Sequence, residues 1–519
     1  MKAHMRKLLK IFTSRVVVVG LALLVQLSWY LLFLNRLANY SIVVNGFFRV
    51  LSVIILLYLI RKDENSAYKI AWMILIMMIP LLGGILYVMI GNKKPGKKLA
   101  AKMAVVKDSM TDALKQNEDV LQEIEEQDAR VAGNIRYIGN YGPYPAWKNT
   151  TVEYFPVGEK MFDAMLKDLQ AAKHYIYLEY FIIAEGVMWD MILEILERKV
   201  KEGVDVRLIY DDVGCVSLLP IHYTKIMESK GIKCMAFNRF VPFLSLAMNN
   251  RDHRKILVID GHTAYNGGIN LADEYINRKE RFGHWKDTAI MITGEAVRSF
   301  TIMFLEMWSV DKNLRNMPLE LFEKYLDIVP DKESEPGDGF IMPYGDSPLD
   351  NEAVGEQVYM DILYTAKDYV HIMTPYLILS NEMITALTYA AKRGVDVKII
   401  MPHIPDKWYA FVLAKTYYNE LLDAGVKIYE YTPGFVHAKV FTSDDEKAVV
   451  GTINLDYRSL YLHFECAVYL YQNEEIPSIE EDFQETLAKC QEVLPSDYKR
   501  QKFFDRMAGR VLRILAPLM

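Results

Sequence analysis

NRDHRKILVIDGHTAYNGGIN, residues 250 to 270, places a histidine two positions ahead of a lysine and an aspartate five further on, then closes on a glycine pair and an asparagine. Read as strand, turn, strand, it turns His253 and Lys255 to the same side, while Gly267 and Gly268 permit a close backbone approach before Asn270. The stretch returns 184 residues later as GFVHAKVFTSDDEKAVVGTIN, residues 434 to 454, with His437, Lys439, Asp444, Gly451 and Asn454 at the same internal spacings. One copy could be accident, but two copies in register imply a duplicated unit.

The flanks repeat as well. IYLEYFIIA (176–184) and VDVRLIYDD (204–212) read as strands around a helix at 189–203. YVHIMTPYLI (369–378) and VDVKIIMPH (395–403) enclose a helix through ALTYAAKRG (386–394) in the same way. Next come GIKCMAFN (231–238) in one half and GVKIYEYT (425–432) in the other. The expected fold is α/β, two homologous sheet domains packed face to face, over residues 150–330 and 352–495. The acidic, Pro- and Gly-bearing stretch 331–351 is expected to link them. Ten residues more separate the corresponding landmarks in the first half, and they fall in RFVPFLSLAMNN (239–250), either a buried loop or a lipid-facing wall.

If the halves meet, two imidazoles, two ammonium groups and two amides converge. A lysine on the strand face of each histidine repels a divalent cation, so the cluster suits an anion and no metal or other cofactor is expected. A phosphodiester gains negative charge in its transition state, which Lys255, Lys439, Asn270 and Asn454 would stabilise. One imidazole can attack phosphorus while the other protonates the departing alkoxide. Each imidazole then needs an acceptor for its second nitrogen. Asp287 in HWKDTAIMI and Glu465 in LHFECAVYLY each open an apolar strand downstream of a motif and are the candidates. Asp260 and Asp444 end the motif strands and read as more structural than chemical.

A net charge of −6 gives no polybasic signature, and no basic, aromatic-studded groove is evident, so a nucleic-acid partner is not expected. Cys215, Cys234, Cys466 and Cys490 lack disulfide or zinc spacing. Residues 16–34 form an uncharged run of membrane-spanning length, with a cleaved signal peptide as the alternative, and Ile70 to Ile90 form another. Residues 41–60 are weaker, because Asn45 and Arg49 interrupt them. Residues 1–92 are thus expected to be an N-terminal transmembrane region of two or three helices. This makes the chain an integral, multi-pass protein of the cell membrane; clusters of Lys and Arg on several loops leave its facing open. A charged helical linker, with a surface helix over 112–131, spans 93–149. A C-terminal helix in 496–519 is amphipathic, either lying in a lipid interface or packing on the protein.

The two motifs resemble the HKD motifs of the phospholipase D superfamily. AYKIAWMILIMMIPLLGGILYVMIG (67–91), TPYLILS, RGVDVKIIMP, GTINLDYRSLYLHFE and RVLRILAPL resemble signatures of bacterial cardiolipin synthases. The resemblance implies that two phosphatidylglycerols become cardiolipin and glycerol through a phosphatidyl-histidine intermediate. It carries His253, Lys255 and Asp260 onto the first motif and His437, Lys439 and Asp444 onto the second, with His253 as the nucleophile. Gly268 and Thr452 stand where many superfamily members have serine, and are expected beside the substrate phosphate. A phospholipase passing the intermediate to water uses the same motif and remains an alternative.

Overall fold

The computed structural model describes residues 28, 29, 32, 42–62, 65–78, 83, 84, 86, 87, 99–101, 103, 114–239, 250–309, 337–350, 352–496 and 502–518. Most of the run 16–34, residues 240–249 of the insertion and residues 331–336 lie outside them.

The first half contributes β1 (Thr150–Phe155), β2 (Tyr175–Tyr180), β3 (Asp205–Asp211), β4 (Lys233–Phe237), β5 (Arg251–Asp252), β6 (Lys255–Ile259), β7 (Thr263–Gly267), β8 (His284–Lys286) and β9 (Ala289–Gly294). The second contributes β10 (Phe340–Asp346), β11 (Tyr369–Met373), β12 (Asp396–Pro402), β13 (Lys427–Tyr431), β14 (Gly434–Val436), β15 (Val440–Ser443), β16 (Lys447–Gly451), β17 (His463–Tyr471) and β18 (Cys490–Glu492). The sheets run β1-β9-β7-β6-β2-β3-β4 and β10-β17-β16-β15-β11-β12-β13, the same order twice, with β18 added at one edge and β5 joined to β17. Parallel β2-β3-β4 and β11-β12-β13 are each extended by an antiparallel motif hairpin, β6-β7 or β15-β16. β2 and β17 are buried along their whole length, as strands covered on both faces must be.

The helix Val297–Trp308 is wedged against both sheets, touching β2, β6, β7, β9 and β10, and β7 and β9 also meet β16 and β17. Tyr175, Ile256, Phe300, Tyr344, Val440 and Cys466 therefore share one core across the two halves. Among the described cysteines there is no disulfide.

Two linker expectations are corrected. The stretch 331–351 contains β10, paired with β17 from Phe340 to Asp346. Pro343 misleads the sequence reading, because β10 ends the sheet and an edge strand tolerates a residue with no N–H to donate. The single helix expected over 112–131 is two, Glu118–Gln127 and Ala129–Tyr141, broken at Asp128, whose carboxylate accepts from Arg130 N at 2.8 Å. Val120, Ile124, Val131 and Ile135 join the core, so this region is docked onto the body.

Among the described residues no helix is long and apolar enough to cross a membrane. The helix Ile42–Arg61 holds Asn45 and Arg49 in its interior, and Ser66–Met78 has 13 residues. They pack together through Ile55, Leu59, Tyr68, Trp72 and Ile76 and leave Phe47, Val50, Val53, Leu57 and Met77 exposed. The expected bundle of spanning helices therefore has no support among the described residues.

Candidate active site

Two short parallel pairings between the halves create the site. β5 runs beside β17 with Asp252 opposite Phe464, and β14 runs beside β8 with Val436 opposite Lys286. The next residue of each motif strand is its histidine, and the next residue of each partner strand is an acid. His253 N donates to Phe464 O at 3.0 Å and His437 N to Lys286 O at 2.7 Å. His253 Nδ1 then lies 2.8 and 3.0 Å from the two oxygens of Glu465, and His437 Nδ1 lies 2.6 Å from Asp287 Oδ2. Each half thus supplies the acid that orients the other half's imidazole. With Nδ1–H donated to a carboxylate, Nε2 keeps its lone pair. Both rings line one cavity of about 770 Å³, together with Asn270 and Asn454.

Burial and the nearby lysines set the charge states. His253 is pushed well below its ordinary pKa by burial, then by Lys255 and Lys439. His437 is pushed down to about 4 by burial and Lys439, against the pull of Asp287. Burial raises Asp287, but His437 and Lys439 outweigh it and hold the carboxyl below its usual value. Lys255 and Lys439 fall to about 8 and about 7 through burial. Each ammonium donates to the backbone carbonyl of its own motif's histidine, Lys255 to His253 O and Lys439 to His437 O. They are not part of the cavity lining.

The remaining sequence candidates divide. Asn270 and Asn454 are in the cavity wall, with Nδ2 donating to Tyr275 Oη at 2.7 Å and Ser459 Oγ at 3.0 Å. Gly268 and Thr452 do not line that cavity and instead adjoin the two acids. A Cβ on Gly268 would stand 2.0 Å from Asp287 Oδ1, so the glycine makes room for that acid. Thr452 Oγ1 donates to Glu465 Oε2 and holds the other acid in place.

Asp260 and Asp444, which end the motif strands, sit at the motif hairpin turns. Asp260 and Gly261 have φ of 53° and 66°, and Asp444 and Asp445 56° and 54°, the positive values that a tight hairpin turn needs at both central residues. The Asp260 carboxylate accepts from the backbone N–H of Lys173, His174 and Tyr175 at 2.7–2.8 Å. Asp444 accepts from Lys367, Asp368 and Tyr369, each at 2.9 Å. The aspartate closes the motif hairpin and ties it to the start of the adjacent strand.

Sequence reasoning missed the rings around the imidazoles. Tyr275, Trp285 and Phe435 stand 5.5, 5.4 and 5.9 Å from His437, centroid to centroid. Phe181 and His463 stand 4.9 and 5.5 Å from His253. Trp285 and His463 each lie two residues before their half's acid, a signal visible in HWKD and LHFE. His463 is buried, which drives it down to about 3, and among the described residues neither ring nitrogen has a hydrogen-bond partner. His253, His463 and Glu465 also offer donor atoms within 4.8 Å of one another. A divalent ion there would displace the bond that orients His253 and sit against the Lys255 ammonium.

The profile described as "Cardiolipin synthase, PLD-like domain" matches residues 165–308 and 359–487, and one described as "Phospholipase_D-nuclease N-terminal" matches 50–92. An uncharacterized protein of Streptococcus mutans is 50% identical over 89% of this chain and 99% of its own. Cardiolipin synthase of Alkalihalophilus pseudofirmus is 32% identical over 88% and 90%, and that of Halalkalibacterium halodurans 31% over 91% and 94%. Among solved structures, phosphatidylserine synthase of Haemophilus influenzae aligns with a TM-score of 0.55 at 14% identity, covering 74% of this chain and 97% of that one, a likeness of fold.

Proposed function

Because the chain belongs to the cardiolipin synthase family of phospholipase D-like proteins, we propose that it transfers a phosphatidyl group between two phosphatidylglycerols, giving cardiolipin and glycerol. The observation that carries this reading is the pair of imidazoles at one cavity, each held through Nδ1 by an acid of the opposite half.

His253 Nε2 attacks phosphorus of the first lipid and the bond from phosphorus to the headgroup glycerol oxygen breaks. That oxygen leaves with a proton from His437. His437 takes up that proton from solvent as the substrate binds: burial favours a neutral His437, and a bound phosphodiester adds the negative charge that favours the imidazolium. The resulting phosphatidyl group rides on His253. His437, now neutral, takes the proton of a headgroup hydroxyl on the second lipid, whose oxygen attacks phosphorus and releases His253. Lys255 and Lys439, lowered by burial, are favoured in their charged form by the negative charge of a bound phosphodiester and then stabilise the developing charge. Asn270 and Asn454 supply amide donors at the wall.

The test is product analysis with purified protein in phosphatidylglycerol vesicles. One glycerol per cardiolipin, without added divalent cation, is the expected outcome. Phosphatidic acid with no cardiolipin would make the chain a hydrolase. The proposed setting is a membrane surface, where both lipids are present.

A further inference from the structure

The helix Phe503–Leu515 packs in an unusual sense. Its contacts with the helix Trp408–Asp423 include Gly509, where a Cβ would come within 2.7 Å of Thr416 Cγ2, and Arg513, and Leu512 packs against the core beside them. The Arg513 guanidinium lies 4.2 Å from the Tyr417 ring centroid, donates to Thr416 O at 3.0 Å and pairs with Glu420 at 3.1 Å. The apolar stripe points outward: Phe503, Phe504, Met507, Val511 and Ile514 are 62, 81, 51, 55 and 47% exposed. An amphipathic helix on a globular body normally buries that stripe.

The surroundings continue the stripe. The chain leaves the helix through Ala516, which lines the cavity, and the turn Ala516–Leu518 docks on the helix Ser66–Met78 of the apolar hairpin. That hairpin exposes Phe47, Val50, Val53, Leu57 and Met77. Tyr409, at the cavity wall, and its neighbour Trp408 are exposed too. Monomeric soluble proteins rarely leave an apolar surface this extensive.

We propose that this face, the outward stripe of Phe503–Leu515 continued by the hairpin 42–78, seats the chain on an anionic lipid surface, with the cavity opening at the plane of that surface. Charge favours lipid over a second copy of the chain. Lys502 and Arg510 are exposed beside the stripe. A two-fold contact through it would bring like charges together, whereas acidic headgroups complement them. Aromatic residues at the rim suit a boundary that is apolar on one side and wet on the other. A phospholipid would reach His253 and His437 without leaving the interface, so the inference rests on the proposed lipid chemistry for its consequence but not for its test.

The test has a catalysis-free arm and a catalytic one, both on the full chain. An environment-sensitive fluorophore on Met507→Cys should shift its emission to the blue on phosphatidylglycerol vesicles and much less on phosphatidylcholine vesicles. No shift on either overturns the proposal, even if the chain makes cardiolipin. In Phe504→Glu/Val511→Glu, turnover on vesicles should fall about tenfold or more, while turnover of monomeric short-chain phosphatidylglycerol stays within about twofold. Equal loss on both substrates would mean that the helix only supports the fold. A wild-type dimer that this variant splits would assign the face to a second copy instead.

Discussion

The surroundings of His253 and His437 share a frame and differ in filling. In both, a parallel strand pair sets the ring beside an acid from the opposite half, and a lysine two residues on donates to the histidine's own carbonyl. The acid itself differs: short Asp287 reaches past a glycine, and longer Glu465 is held by the Thr452 hydroxyl. The asparagine leans on a phenol in one half, Tyr275, and on an alcohol in the other, Ser459. Two residues before the acid stands an indole in one half and an imidazole in the other. Trp285 Nε1 donates to Asp287 at 3.4 Å, while His463 Nδ1 lies 3.7 Å from Glu465. His437 is thus boxed by aromatic rings, and His253 has a titratable neighbour. Duplication repeats the backbone that brings both rings to one cavity, and the filling around them has diverged.

The most damaging way to probe this comparison is to remove either ring. His253→Ala and His437→Ala should each cost about 10³-fold or more in cardiolipin formation. Trapping the covalent lipid in acid should label His253, and label on His437 would exchange the assigned parts. Loosening the acids comes next. Asp287→Asn and Glu465→Gln keep shape but favour the wrong tautomer, and should each cost about 10²-fold or more in kcat. A full effect of one with none of the other would break the equivalence of the frame.

Smaller changes test the filling. His463→Asn should cost about tenfold in kcat/KM and alter the acid limb of the pH profile, whereas Trp285→Phe should leave that limb in place. Identical profiles would deny His463 any distinct role. Asp260→Ala and Asp444→Ala should lower stability by about 2–4 kcal/mol each, read by chemical denaturation, and leave kcat of the folded fraction within about threefold. The smallest effect is on acid stability. His437 and His463 titrate lower in the fold than in a free chain, so the unfolded chain takes up their protons first. The stability they preserve above about pH 6.5 is lost as pH falls toward 4. His463→Asn should therefore lose less in thermal midpoint than wild type between pH 7 and pH 5.

Much of this was legible in the chain itself. The duplicated motif fixes two sheets of one order, because strand alternation and turn residues recur in the same register. Asp287 and Glu465 were visible as acids opening buried strands, but which histidine each serves depends on β5 crossing to β17 and β14 to β8, pairings 212 and 150 residues apart for the two contacts. Asp260 and Asp444 were legible as strand ends with a structural part, and the positive φ and the three backbone donors show what that part is. The contacts of Gly268 with Asp287 and of Thr452 with Glu465 were not legible, because each acid reaches its neighbour only through the fold. β10 was hidden by its composition. Trp285 and His463 were overlooked because a ring two residues from an acid carries no spacing that separates it from ordinary core.

The crossed exchange of acids has a consequence for how activity is acquired. A nascent or damaged molecule with one sheet assembled would hold an imidazole whose tautomer nothing selects, facing an acid with nothing to orient. On the proposed chemistry, such a species would lack an oriented nucleophile. Both imidazoles gain their acids only when the second sheet closes on the first, so assembly itself would act as the safety catch on the site.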